Sequence, residues 1–331
     1  MLEKTTTMAS KPNQLRVFFL PYLALGHMIP MVDAARLFAR HGVDVTIIVT
    51  TICASHFKKS IDDDDAKSSN QIRIHTLHFP FAEVGLPEGV ETFQTAISME
   101  IFTSISQGID MLRKPIEQLF YETKLDCISQ IFHIMKESRK SVEKSYGILM
   151  NTFHELEGTY EKYCRSTLKK NTWSVGPVSL WVNRDIAEKV QRFNVDGDEE
   201  TREIKDWLDS KERNFVLYVS FRSQNWFEAA QLIEIAHGLE DSGHSFIWVV
   251  RKKEEDDYGE DFPAGFEERM KESKRGFLIK NWAPQMLILD HPATGGMVTH
   301  CGWNSILEGV VAGLPMITWP LFGEHFFNKK C

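Results

Sequence analysis

The chain has 331 residues, room for about two domains of ordinary size. Its 43% hydrophobic and 25% charged content is that of a folded globular protein, which excludes a disordered or fibrous chain. The 38 basic residues are interleaved with 46 acidic ones, so the net charge of −8 comes without a basic stripe and argues against nucleic acid as a partner. Five cysteines, Cys53, Cys127, Cys164, Cys301 and Cys331, stand far apart, with no CxxC pair and no histidines at zinc spacing. That argues against a disulfide framework or a structural metal, and it fits a reducing, cytoplasmic compartment. The first residues lack the apolar core of a secretory leader, and the apolar stretch from Val17 to Val32 is interrupted by Pro21, Gly26, His27 and Pro30. No membrane insertion is expected.

In chain order, LRVFFL (Leu15 to Leu20) is an apolar run of strand length, followed by a loop through Gly26. From Met28 the apolar spacing is helical until Gly42 stops it, and VDVTIIV (Val43 to Val49) is a second strand. Uninterrupted apolar strands in a βαβ unit predict a parallel sheet covered on both faces. A third strand is expected over Ile72 to His78, a helical region between Glu91 and Lys124, and short strands at Leu125 to Ile128 and Ser145 to Asn151. A helix should follow from about Glu155. The polar stretch 171–208 reads as an interdomain linker, which gives an N-terminal domain over 1–170 and a C-terminal domain over 209–331. In the latter, strands FVLYVSF, SFIWVV, GFLIKNW, GGMVTH and LPMITWP alternate with helices. The fold class is therefore α/β, with two Rossmann-like domains facing across a cleft and ligands at the carboxyl ends of the strands.

The densest cluster of unusual residues is GGMVTHCGWNSILEG (Gly295 to Gly309), where a strand turns into a helix. An open helix N-terminus flanked by His300, Asn304 and Ser305 suits a diphosphate. The same residues would also serve as plain helix caps. Glu308 shares the helix face of Asn304 and suits ribose hydroxyls, or it is simply a solvated glutamate.

The segment Trp282 to His325, WAPQMLILDHPATGGMVTHCGWNSILEGVVAGLPMITWPLFGEH, resembles the signature box of the plant secondary-product UDP-sugar glycosyltransferases, which have the GT-B fold. Trp282, Pro284, Gln285, His291, Gly295, His300 to Ser305, Glu308, Gly313, Pro315, Pro320 and Glu324 fall where that box has them. The resemblance extends to GHMIPMVDAARLFA and EDSGHSFIWVVRKKE, and it is nearest to the branch that glycosylates triterpenoid sapogenins. It implies an inverting hexosyl transfer from a UDP-sugar, a co-substrate and not a cofactor, to a small hydrophobic acceptor, by a monomer and without a metal.

By the same resemblance Trp282 would stack on uracil, Gln285 and Glu308 would hold the ribose, and His300, Asn304 and Ser305 the diphosphate. Ser223, Ala283 and Trp303 join the donor-binding set, and Glu324 and His325 would touch the sugar. Histidine at the last box position, where most of the family has glutamine, resembles the galactose-preferring variants, with glucose the alternative. His27 matches the catalytic base; a lone histidine after a glycine also suits a plain turn.

The chain departs from the family in four ways. After LDCI (Leu125 to Ile128) it passes directly into SQIFHIM, so that roughly a hundred residues, most of a Rossmann half, are expected to be missing near 128–131. With them goes the aspartate that orients the base, since Asp126 lies at the wrong end of its strand. FRS (Phe221 to Ser223) stands in place of the family's FGS, and the chain stops at Cys331 where the family continues. Both domains are thus expected to be incomplete, with apolar sheet faces uncovered. A UDP-sugar-binding fragment without catalysis is accordingly the alternative to an enzyme. A nicotinamide enzyme is disfavoured because no GxGxxG follows a strand. The DxD at Asp196 to Asp198 and the run Asp62 to Asp65 are expected to be solvated loops and not metal sites.

Overall fold

The computed structural model describes residues 15–67, 72–93, 95, 98–122, 127–130, 145–182, 198–221, 227–250, 265–280, 282–321 and 323–330. By contact the chain divides into two compact units, residues 1–92 with 99–143, and residues 93–98 with 144–331.

In the first unit the run RVFFL makes β1 (Arg16–Leu20), whose middle three residues are buried. The helix α1 (Leu25–Arg40) follows after a short turn, and Gly42, at φ 87°, reverses the chain where a side chain would be strained. β2 (Asp44–Thr50) is buried from its second residue onward, as a strand covered on both faces must be. α2 (Thr51–Lys67) then leads to β3 (Ile72–Leu77). The helical region expected between Glu91 and Lys124 is two helices, α3 (Met99–Met111) and α4 (Arg113–Glu122), and β4 (Cys127–Gln130) closes the unit. The four strands are parallel in the order β3-β2-β1-β4. The order reverses between β1 and β4, so the crevice at their carboxyl ends is the place for a ligand.

The second unit begins with β5 (Gly147–Met150), α5 (His154–Ser166), β6 (Asn171–Ser174), α6 (Val178–Val182) and α7 (Asp198–Asp209). β5 and β6 pair with each other and form their own two-stranded sheet. Next come β7 (Val216–Ser220), α8 (Ala229–Asp241), β8 (Ser245–Val249), α9 (Phe266–Glu272) and β9 (Gly276–Ile279). The last elements are α10 (Gln285–Leu289), β10 (Thr294–Thr299), α11 (Trp303–Val311), β11 (Met316–Thr318) and α12 (His325–Asn328).

The main sheet is parallel, in the order β11-β10-β7-β8-β9; apolar clusters lie on both faces of its inner strands, whereas the edge strand β11 is largely exposed, with Ile317 58% exposed. Ile204 and Leu208 of α7 and Ile288 and Leu289 of α10 pack with Tyr218, Ile247 and Met297 on one face. Ile235 and Leu239 of α8 and Phe266 and Met270 of α9 pack with Phe246, Trp248 and Val298 on the other. This is the doubly wound arrangement, and its switch point lies between β7 and β10.

Two sequence expectations need correction. The run Asp62 to Asp65 belongs to α2 and not to a loop, because Cys53, Phe57 and Ile61, spaced by four, bury one stripe of that helix. The stretch 171–208, expected as a linker, carries β6, α6 and α7, since β6 pairs with β5 and Ile204 and Leu208 are fully buried. The contact boundary at 143/144 accordingly groups residues 144–170 with the second unit, where the expected boundary put them with the first. Asp198 opens α7, whereas Asp196, Gly197, Asp126, Arg222 and Ser223 lie outside the described residues.

Candidate functional site

In the second unit, β10 delivers the chain to the switch point, and Thr299, His300, Cys301 and Gly302 turn it into α11. Cys301 sits at φ 68°, a left-handed conformation that costs a non-glycine residue about 1–3 kcal/mol. It is held there by its own N–H, which donates to Thr299 Oγ1 at 3.2 Å, and by Asn328, whose Nδ2 donates to the Cys301 carbonyl at 3.0 Å. Burial pushes the Cys301 thiol pKa up.

The first turn of α11 holds no acidic residue. The N-cap position is Gly302, which has no side chain to cap with. The helix presents first-turn amides and the positive end of its dipole at the switch point, where they suit an anion. His300 stands beside this terminus, so close to Gly302 that a Cβ there would lie 2.3 Å from Nε2.

Behind it, His325 is fully buried and meets the His300 ring edge-on, with centroids 4.9 Å apart. Glu324, mostly exposed, approaches His325 Nε2 at 3.7 Å. His325 has no exposed surface to offer a sugar and borders the site through His300, so the direct contact implied by the resemblance needs the ring to become exposed.

A second set of bonds ties α10 to α11. Gln285 donates from Nε2 to Glu308 Oε2 at 2.7 Å, with Ser305 Oγ at 3.5 Å, and accepts at Oε1 from the Tyr218 hydroxyl at 3.1 Å. Tyr218 is buried in β7, and burial holds its phenol well above the ordinary range; the Glu308 charge adds to this and a bond from Ser220 opposes it. Trp282 precedes α10 and is half-buried, whereas Ala283 is buried in the core. Trp303 is committed elsewhere, since its Nε1 donates to the Asn151 carbonyl at 2.9 Å and fastens the end of β5 to the start of α11.

Gln285, Ser305 and Glu308 thus come together, as do His300, Glu324 and His325. Tyr218 and Asn151 escaped the sequence reading. The one available signal for Tyr218 was a hydroxyl inside an apolar strand, which must find a partner when buried.

In the first unit His27 lies in the first turn of α1, two residues after its start, where the sequence placed it just before the helix. It follows β1 at that sheet's switch point, half-buried and edge-on to Tyr22 with ring centroids 5.7 Å apart. Burial, with Asp110 adding to it, raises the Tyr22 phenol pKa. In the same unit Glu91 is buried and accepts from the Thr50 hydroxyl and from the Cys53 N–H at 3.0 Å. Among the described residues no group of three His, Cys, Asp or Glu side chains gathers as a metal site, and no helix is long and apolar enough to cross a membrane.

Residues 128–331 match the family model described as UDP-glucoronosyl and UDP-glucosyl transferase. The chain belongs to that family. It is a plant-type UDP-glycosyltransferase of α/β, GT-B fold. A soyasapogenol B glucuronide galactosyltransferase from Glycine max is 41% identical over 399 residues, covering 98% of this chain and 80% of that protein. A nuatigenin 3-beta-glucosyltransferase from Solanum aculeatissimum is 37% identical, covering 96% of this chain and 80% of that protein.

Among solved structures, Glycyrrhiza uralensis UGT73P12 complexed with glycyrrhetinic acid 3-O-monoglucuronide has a TM-score of 0.86 at 40% identity, covering 96% of this chain and 79% of that one. Arabidopsis thaliana UGT89C1 complexed with UDP-L-rhamnose has a TM-score of 0.79 at 27% identity, covering 96% and 82%. The alignment of 399 residues is longer than the glycosyltransferase itself at 331, so the Glycine max relative carries residues with no counterpart here.

Proposed function

We propose that this glycosyltransferase moves galactose or glucose from its UDP-sugar to a hydroxyl of a triterpenoid sapogenin, inverting the anomeric carbon. The observation that carries the reading is the Gly302-led N-terminus of α11 at the switch point, beside His300 and the bonded set Gln285, Ser305 and Glu308. The diphosphate would meet the α11 amides, His300, Asn304 and Ser305; the ribose would meet Gln285 and Glu308; uracil would stack on Trp282. Ser223, Ala283, Trp303 and Glu324 complete the proposed donor set. The Glycine max galactosyltransferase supports galactose, and the Solanum relative supports glucose. The sapogenin-type names of these relatives, and the triterpenoid glucuronide bound to UGT73P12, make a triterpenoid 3-O-glucuronide the first acceptor to test.

In the proposed step His27 takes the proton of the acceptor hydroxyl as that oxygen bonds to the anomeric carbon. The bond from that carbon to the diphosphate oxygen breaks on the opposite face, and UDP leaves with its new charge facing the α11 terminus. General-base help of this kind contributes about 10²-fold to 10⁴-fold. The helix dipole and His300 take the leaving-group charge, and no metal enters the scheme. The cysteine pattern supports a cytoplasmic enzyme, and we read it as a monomer.

The extra residues of the relative favour a second reading, in which a chain without the aspartate partner of His27 binds UDP-sugar but transfers poorly. Transfer from UDP-galactose and UDP-glucose to a triterpenoid glucuronide, followed by mass spectrometry, tests both. Product that survives excess chelator and falls at least a hundredfold in His27→Ala is expected of the enzyme. UDP binding with no product, unchanged by that substitution, would establish the second reading.

A further inference from the structure

We propose that Tyr218 is a positioning residue for ribose recognition: its hydroxyl fixes which end of the Gln285 amide meets Glu308. The inference rests on the reading of Gln285 and Glu308 as the ribose-binding pair.

A carboxylate only accepts hydrogen bonds, so Gln285 must turn its NH₂ toward Glu308 Oε2, 2.7 Å away. The amide oxygen then faces Tyr218, 3.1 Å away, and the phenol must donate. The polarity therefore runs in one direction from β7 through α10 to α11. An amide is nearly symmetric in shape, and without a donor at its oxygen end it can flip and set its own oxygen against the carboxylate. Tyr218 is 1% exposed, so bulk water cannot replace the missing donor. The tyrosine never needs to touch the nucleotide. It acts by keeping the Glu308 carboxylate in the one orientation that the Gln285 amide supports.

Tyr218→Phe keeps the ring and its packing and deletes only the donor. The test is calorimetric binding of UDP, 2′-deoxy-UDP and 3′-deoxy-UDP to the full chain. The preference for UDP over the deoxy nucleotides is expected to shrink about three- to tenfold, with the deoxy affinities themselves nearly unchanged. Equal weakening of all three nucleotides, leaving the preference intact, would mean a purely structural tyrosine and would overturn the inference.

Gln285→Leu removes a proposed ribose contact as well as the bond to Tyr218, so its loss of preference should be at least as large as that of Tyr218→Phe, and it serves even where the phenylalanine variant does not fold. Retained preference in that variant would also overturn the role of Tyr218. In the double variant the loss should equal that of Gln285→Leu alone, because both act on one bond; additive losses count against it. Glu308→Gln separates the two levels. If it leaves the preference untouched, the ribose reading itself fails. If it removes the preference while Tyr218→Phe preserves it, only the role of Tyr218 fails.

Discussion

At the scale of single residues, the turn before α11 is shaped by crowding more than by intrinsic preference. Gly302 has φ −64° and ψ 137°, a conformation open to any residue, so its glycine is not there for backbone freedom. It is there because His300 occupies the space of its Cβ, at 2.3 Å from Nε2. His300 cannot swing aside cheaply, being 3% exposed and backed by the buried ring of His325. Gly302→Ala must therefore move the His300 ring or the amides of the first turn. Overpacking of this kind costs about 1–3 kcal/mol, and here it falls on the proposed diphosphate site. UDP affinity should drop about tenfold while uridine affinity holds, as read by titration calorimetry. An equal loss for both ligands would mean that the turn as a whole has collapsed.

Gly295 shows the same logic against backbone instead of a side chain. The register of β10 against β7 shifts between Thr294 and Gly296, and a Cβ at Gly295 would lie 2.2 Å from the Asn214 carbonyl oxygen. That glycine of the signature segment is thus explained by strand packing, with no nucleotide needed.

At the scale of elements, α2 is tied to the loop after β3 by one buried carboxylate. Glu91 takes the Cys53 N–H in the first turn of α2 and the Thr50 hydroxyl at the end of β2, so three segments meet at one acceptor. The Cys53 thiol beside it is pushed up to about 12 from 9.0, chiefly by burial, with Glu91 adding to the shift. The native state therefore keeps this proton above pH 9, where the unfolded chain gives it up. The associated stability is complete below about pH 9 and is lost as pH rises toward 12, at about 1.4 kcal/mol per pH unit. Urea midpoints at pH 8 and pH 10.5 should fall further apart in the wild type than in Cys53→Ala, which has no thiol to ionise. Equal shifts in the two proteins would show that Cys53 does not carry the alkaline limb.

At the scale of the whole chain, the parts legible in the sequence were those whose signal is local. Unbroken apolar runs such as RVFFL and FVLYVSF became parallel strands, and the switch from GGMVTH to a helix is the turn from β10 into α11. α2 was illegible because, among its described side chains, the buried apolar stripe is Cys53, Phe57 and Ile61, set among polar neighbours and followed by four aspartates. α7 was illegible for the same reason, its core face resting on Ile204 and Leu208 within an acidic stretch. The bonds of Tyr218 and Trp303 reach across 67 and 152 residues, and no spacing rule sees so far.

The division into two units, each with its own parallel sheet, makes a prediction that no single residue does. All proposed nucleotide contacts belong to the second unit, and His27 belongs to the first. A ligand stabilises what it binds by about 2.7 kcal/mol at a hundred times its dissociation constant. Saturating UDP should therefore slow hydrogen exchange in β7, β8 and β10 by up to about a hundredfold, while β1 and β2 exchange at their free rate. His27→Ala should leave that pattern unchanged even where it abolishes transfer. Protection spreading equally into β1 and β2 would instead mean that the two sheets open as one cooperative body, and that loss of residues from either half would be felt at the nucleotide.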